Sequence, residues 1–292
     1  MKFLIIIPAH NEEKNIGFAL GSLKQQSFGD FRVVVVNDGS EDRTPQIAAE
    51  FANQDTRFSV KNLGKSGHEP GAKVVRTFNK GLDGEDLTAF QVICKFDADI
   101  IFPQDYLEKV AQVYRENPKA GMVSGLVRIR KTVFEKALAY DFADEKKQWI
   151  FENLSSKNHV RGPIKSYRRE CFEQMNGLRP VLGWDNIDVM LARMHGWEVL
   201  TIKNIWVKHL RPTAFKYKSQ KAEKLGEYFY NIGLSLPLAL ISSAKSSWKS
   251  KSPGEFFVTM RTFLKQNSAR ELSREEINYI RKLRWQQMFG KK

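Results

Sequence analysis

Cysteine is nearly absent: Cys94 and Cys171 are the only two in 292 residues and lie far apart. That excludes a disulfide framework and a cysteine-ligated metal centre, both of which need clustered thiols. Cys94 sits inside an apolar run, so a buried, reduced thiol in a cytosolic setting is expected. Long apolar runs are also missing. The uncharged stretch Ile232–Ala244 has 13 residues and contains Pro237 and several serines, too few to cross a bilayer as a helix. The early run Phe3–Ala9 is short and passes straight into His10-Asn11-Glu12-Glu13, so no signal peptide is expected. Two nucleotide motifs fail as well. Gly64-Lys65-Ser66 lacks the glycine a phosphate loop needs five positions earlier, where Ser59 stands, and no Gly-x-Gly-x-x-Gly follows the first strand. There is no internal repeat and no low-complexity segment.

What is present begins with charge. The chain carries a formal +14, but from Lys208 to Lys292 there are 18 Lys and Arg against 6 Asp and Glu. A nearly neutral body with a basic tail speaks against a nucleic-acid-binding body and for a tail that meets an anionic surface such as a membrane.

Strand and helix signals alternate through the first half, which predicts a mostly parallel sheet with crossover helices. Strands are expected at Phe3–Pro8, Phe31–Val36, Arg57–Lys61 and up to Asp97, with another at Gly121–Arg130 and extended chain at Glu198–Val207. Helices are expected at Glu12–Gln26, Thr44–Asn53, Ala72–Leu82, Pro103–Arg115, Val133–Asn153, Arg168–Met175 and Trp184–His195. Beyond His209 the pattern predicts helices at Tyr217–Leu234, Pro253–Gln266 and Ser273–Met288, the last opened by a capping box of Ser273 and Glu276.

The segment Val92-Ile93-Cys94-Lys95-Phe96-Asp97-Ala98-Asp99 delivers two carboxylates, one residue apart, to the end of an apolar strand. Alternate residues of an extended chain point the same way, so Asp97 and Asp99 can converge on a divalent cation that also holds phosphates. Pro8-Ala9-His10-Asn11-Glu12 and Asn37-Asp38-Gly39-Ser40 end two other strands on the same sheet edge, where open α/β sheets bind ligands. Lys65, Lys73 and Arg76 follow and could neutralise a diphosphate. Gly183-Trp184-Asp185-Asn186-Ile187-Asp188 sets carboxylates at a helix start beside a large ring. That suits a general base facing a sugar-stacking platform, or simply a helix cap with a dipole-favoured second carboxylate. His209 is a further metal-ligand candidate.

In order, Ile7-Pro8-Ala9-His10-Asn11-Glu12, Val36-Asn37-Asp38-Gly39-Ser40, Phe96-Asp97-Ala98-Asp99, Gly183-Trp184-Asp185 and Val207-Lys208-His209 resemble family 2 glycosyltransferases. The resemblance covers roughly residues 3–210. It implies an α/β fold of GT-A type: a mostly parallel sheet flanked by helices, Rossmann-like in its nucleotide-binding half, with a helical C-terminal extension. Residues 1–125 would be the nucleotide-sugar half, 126–212 the acceptor half and 213–292 the basic extension. The resemblance implies inverting transfer from a nucleotide-sugar, often linked to uridine diphosphate, to a saccharide or lipid-linked acceptor in cell-surface polysaccharide synthesis.

By the same resemblance Pro8, Ala9, His10, Asn11, Glu12, Asp38, Lys73, Arg76 and Asp97 would hold the donor. Asp97, Asp99 and His209 would bind Mg²⁺ or Mn²⁺. Asp185 would be the base, with Asp188 a rival for the role, because Trp184 stands where the family more often has an acidic residue. Arg161, Gly162 and Trp184 would lie on the acceptor side. The protein would be cytoplasmic and would bind no nucleic acid; its C-terminal extension would either lie on the inner membrane face or pack its apolar residues on the catalytic body. A nucleotidyltransferase making nucleotide-sugars is the alternative enzyme reading, although Pro8-Ala9-His10-Asn11 replaces the glycine-rich, Arg-containing loop that class usually shows. A basic nucleic-acid-binding protein ranks last.

Overall fold

The computed structural model describes residues 1–64, 71–131, 133–142, 148–154, 156–211 and 220–289. Lys65 and the first residues expected of the Tyr217 helix lie outside them.

Four parallel strands form one side of the sheet: β1 (Phe3–Ala9), β2 (Phe31–Asp38), β3 (Phe58–Leu63) and β4 (Val92–Phe96), in the order β3-β2-β1-β4. The helices α1 (Ile16–Lys24), α2 (Thr44–Gln54) and α3 (Ala72–Leu82) are the crossovers. Side chains alternate faces along each strand. Phe3, Ile5 and Ile7 join one buried layer and Leu4 and Ile6 the other. Buried on both faces, these strands are runs of β-branched residues with little alternation. The chain returns from β3 to the far side of β1, so the crevice between the ends of β1 and β4 is the switch point at which such sheets take ligands.

Past β4 the sheet becomes mixed. It continues through β8 (Ile164–Arg168), β6 (Ala120–Arg130), β9 (Glu198–His209) and the two-residue β5 (Ile100–Ile101). β8 runs antiparallel to β4 and β6, β9 parallel to β6, and β5 antiparallel to β9. The helices α4 (Tyr106–Glu116), α5 (Arg169–Gln174) and α6 (Trp184–Met194) pack on this half.

The amphipathic helix expected over Val133–Asn153 is not formed. The described part of that stretch holds a single 3₁₀ turn at Lys136–Leu138 and the short strand β7 (Trp149–Phe151), which pairs with the end of β6. Tertiary contacts override the helical pattern. Trp149 packs near Trp206, and the buried Lys208 ammonium donates to the carbonyls of Leu138, Ala139 and Asp141 at 2.6–3.0 Å.

The C-terminal part is four helices: α7 (Lys221–Asn231), α8 (Leu236–Ser250), α9 (Pro253–Lys265) and α10 (Arg274–Phe289). α8 falls where the sequence reading placed only an uncharged stretch. Its Pro237 occupies the first turn, where a missing N–H is harmless. The capping box at α10 is present: Glu276 N–H donates to Ser273 Oγ, and Ser273 N–H to Glu276 Oε2. These helices share the buried layer of Leu4 and Ile6, because Phe229, Leu238, Met260 and Ile280 belong to it. Their attachment includes the Arg179–Glu276 ion pair at 2.7 Å.

Candidate active site

The loops after β1 and β2 interlock. Asn11 takes a left-handed conformation (φ 54°), its N–H donates to Ser40 Oγ, and its Oδ1 accepts from Glu41 N–H. His10 Nδ1 lies 2.7 Å from the Asp38 carbonyl, and Thr44 Oγ1 accepts from Glu12 N–H. These bonds hold two strand ends as one rim. The Asp38 carboxylate is buried there, 3.2 Å from Lys73 Nζ and accepting from Thr77 Oγ1 at 3.1 Å.

A cleft of about 600 Å³ opens at the ends of β1 and β4. Nine of the residues singled out in the sequence line it: Pro8, Glu12, Asp97, Asp99, Arg161, Gly162, Trp184, Asp185 and His209. Ala9, His10, Asn11, Asp38, Lys73 and Arg76 belong to the neighbouring rim and the face of α3, outside that lining. Asp188 is also outside it.

Each cleft residue arrives by a different route. Asp97 and Asp99 follow directly from β4. His209 comes from the far end of the chain, because β9 pairs with β5 and sets His209 opposite Ile100. Its Nε2 lies 3.6 Å from Asp99 Oδ2, and its Nδ1 lies 3.4 Å from Glu152 Oε2. Burial alone would lower the His209 pKa, but these two carboxylates outweigh it and push it up to about 9. Glu152 in turn pairs with Arg161 at 2.8 Å. Burial, reinforced by Asp99, raises the Glu12 carboxyl above its usual range.

Asp185 and Asp188 share α6 but not an environment. Gly183 holds the cap position at φ 91°, a conformation favouring glycine, so Asp185 lies within the first turn and faces the cleft. The ring of Tyr228, from α7, lies against Gly183 so closely that a Cβ there would overlap it. Asp188 is 2% exposed. Both its oxygens lie 2.6 Å from Lys165 Nζ, and Tyr167 OH donates to one of them at 2.7 Å. Burial, with the adjacent carboxylate, pushes the Tyr167 hydroxyl up. Asp188 is therefore saturated by partners and closed to a substrate.

Three cations were not singled out in the sequence. Lys95 and Lys165 stand directly opposite each other across β4 and β8, both buried, each ammonium 5.2 Å from the Trp184 ring. Lys95 pairs with Asp97 and Lys165 with Asp188, which offsets the repulsion of like charges in opposed positions. The Trp184 ring is itself 8% exposed, so most of it serves this packing. Arg211 pairs with Glu12 and places its Nε 3.4 Å from Asp99 Oδ2. Period-two alternation could have found two of them. Lys95 is a charge inside an apolar strand, two residues before Asp97, and Arg211 follows His209 by two.

Carboxylates with one imidazole are donors that a hard divalent cation such as Mg²⁺ or Mn²⁺ accepts. The chemistry of Asp97, Asp99 and His209 fits that ion. Their present arrangement is held by protein cations instead, since Lys95 engages Asp97 and Arg211 engages Asp99. Among the described residues, no group of three or more His, Cys, Asp and Glu side chains is poised around a metal position.

The sequence and the fold are similar to those of known proteins. A PGL/p-HBAD biosynthesis glycosyltransferase of Mycobacterium bovis (strain BCG / Pasteur 1173P2) is 31% identical over 171 residues, 58% of this chain and 60% of that protein. Poly-beta-1,6-N-acetyl-D-glucosamine synthase of Staphylococcus epidermidis is 27% identical over 128 residues, 43% of this chain and 28% of its own length. The chain thus spans less than two thirds of the length of either relative. Among solved structures, the mannosyltransferase PcManGT from Pyrobaculum calidifontis, in complex with GDP-Man and Mn²⁺, superposes with a TM-score of 0.57 at 17% identity. That match covers all of this chain and 88% of PcManGT. At that identity the likeness shows the fold alone, a GT-A type α/β sheet with a helical C-terminal part. The description Glycosyl transferase family 2 matches residues 4–175, more than half of the sequence, and the chain belongs to that family.

Proposed function

We propose that this chain transfers a sugar from a nucleotide-sugar, with uridine diphosphate as the leaving group, to a hydroxyl of a saccharide or lipid-linked acceptor, inverting the anomeric carbon. One observation carries the reading: Asp97, Asp99, His209 and Asp185 line a single cleft at the switch point of the sheet. The relatives' names, a poly-beta-1,6-N-acetyl-D-glucosamine synthase and a PGL/p-HBAD biosynthesis glycosyltransferase, and the GDP-Man bound to the fold neighbour support the substrate class.

The nucleotide would lie along the rim of Pro8, Ala9, His10, Asn11, Glu12 and Asp38, with Lys73 and Arg76 toward its phosphates. Asp185 would accept the proton of the acceptor hydroxyl as that oxygen attacks the sugar from the face opposite the diphosphate. Gly162 lies beside Asp185 and Trp184, on the side where the acceptor would enter. Asp188 would act on Asp185 indirectly. It holds Lys165, whose ammonium also donates to the Asp185 carbonyl at 2.5 Å and so fixes the first turn of α6. Arg161 stands behind His209 through Glu152. A divalent cation on Asp97, Asp99 and His209 would offset the charge that grows on the leaving diphosphate. A lipid-linked acceptor would keep the enzyme at the cytoplasmic membrane face, in cell-surface polysaccharide synthesis.

The test is Asp185→Asn. Removing a general base slows transfer by about 10²–10⁴-fold, while binding of the nucleotide-sugar, measured by titration calorimetry with Mn²⁺ present, stays at the wild-type level. Wild-type turnover by the variant refutes the assignment. A panel of nucleotide-sugars screened for hydrolysis identifies the donor.

A further inference from the structure

We infer that α8 and α9 form a docking face for an anionic lipid surface. α8 is apolar on two sides: Leu238 and Ala239 are buried against the body, yet a second apolar row faces outward. Its outward residues, Leu236, Leu240, Ile241, Ala244 and Trp248, repeat at helical spacing, while the serines Ser243 and Ser247 are turned inward. Those serines are satisfied inside: Ser247 Oγ donates to the Ser252 carbonyl at 2.6 Å, and Ser243 Oγ lies 3.3 Å from Met260 Sδ. Trp248 is 87% exposed. On α9, Phe257 is 70% exposed and Val258 and Leu264 also face outward. The two apolar rows meet at the turn between the helices, where Trp248, Pro253, Phe256 and Phe257 line a groove of about 570 Å³. Soluble surfaces seldom leave such a contiguous patch uncovered without a partner.

Charge selects the occupant. Between Ile232 and Arg270 there are six Lys and Arg and one acidic residue, Glu255, which accepts from Ser250 Oγ at 2.7 Å. Lys245 and Lys249 flank the apolar row of α8, and Arg261 and Lys265 that of α9. A second copy of the chain would bring equally basic faces together, which repel. Anionic headgroups attract them, and the long lysine stems let the apolar row sink while the ammonium groups stay at headgroup level. No helix among the described residues is long and apolar enough to cross a membrane, so the contact is interfacial. The docking face uses none of the cleft residues and stands whether or not Asp185 is the base.

The experiment uses the full chain and vesicles of phosphatidylcholine with or without phosphatidylglycerol. Co-sedimentation is expected with the anionic vesicles at low salt, at least about tenfold above neutral vesicles, and falls as salt rises. The double variant Trp248→Ser/Phe257→Ser loses this binding about tenfold or more, since the aromatic anchors supply the apolar part. Lys245→Glu/Lys249→Glu removes the preference for anionic lipid. Nucleotide-sugar hydrolysis and the melting temperature of both variants remain at wild-type level, which separates docking from folding and from catalysis. Absence of binding at low salt overturns the inference. So does binding that neither variant weakens, or a patch-dependent dimer in sedimentation velocity without vesicle binding.

Discussion

The cleft rim and the α8–α9 face are built on opposite terms. Around the cleft, charges are buried or half-buried and these have partners of opposite sign: Asp188 with Lys165, Asp97 with Lys95, Asp38 with Lys73, Glu152 with Arg161. On the helices, large apolar side chains are exposed and cations lie beside them without any acidic row. A buried charge left alone is expensive, so the rim tolerates little change. An exposed apolar row adds almost nothing to folding, so the helical face can be altered freely. The difference teaches that pairing, not exposure, marks where this fold is fragile.

The sharpest way to break that contrast is Asp188→Ala. It leaves the Lys165 ammonium buried and unpaired and lowers stability by about 3–5 kcal/mol. Chemical denaturation would read this, and Lys165→Met/Asp188→Leu should recover most of the loss because both charges go together. Gly183→Ala follows. The left-handed backbone and the Tyr228 ring both oppose a Cβ, at about 1–3 kcal/mol for the backbone strain alone, measured by the same unfolding curve. The smallest effect belongs to Arg211→Ala. With the cation placed as proposed, its guanidinium would compete for Asp99, so Mn²⁺ affinity by calorimetry is expected to rise by up to about tenfold, or roughly 1.4 kcal/mol, with folding unchanged. A fall in Mn²⁺ affinity would mean that Arg211 assists the cation rather than excludes it.

The parallel half was legible because its signals are local. β1, β2 and β4 are short apolar runs closed by polar turns, α3 spans the expected Ala72–Leu82, and the rim residues sit at the ends of these strands. The mixed half was legible only in part: β6, β9, α4 and α6 fall close to their expected spans, but two strands exist only through pairing. β8 becomes a strand by lying against β4, and β7 by lying against β6; neither announces itself by alternation. α8 was hidden by Pro237 and its serines, since a helix with apolar residues outward does not match the expected burial pattern. Lys95, Lys165 and Arg211 were passed over as ordinary charges. Only the register between distant strands reveals that two of them face each other beneath Trp184.

That register has a consequence for how the chain finds its shape. Sliding β8 by one residue against β4 would swing the Lys165 ammonium toward the layer of Cys94, Phe96 and Ile164, which offers no anion. Misaligned pairings therefore carry a heavy electrostatic fine, whereas the native alignment hands each lysine its carboxylate. The same charges that furnish the rim thus proofread the assembly of the sheet beneath it.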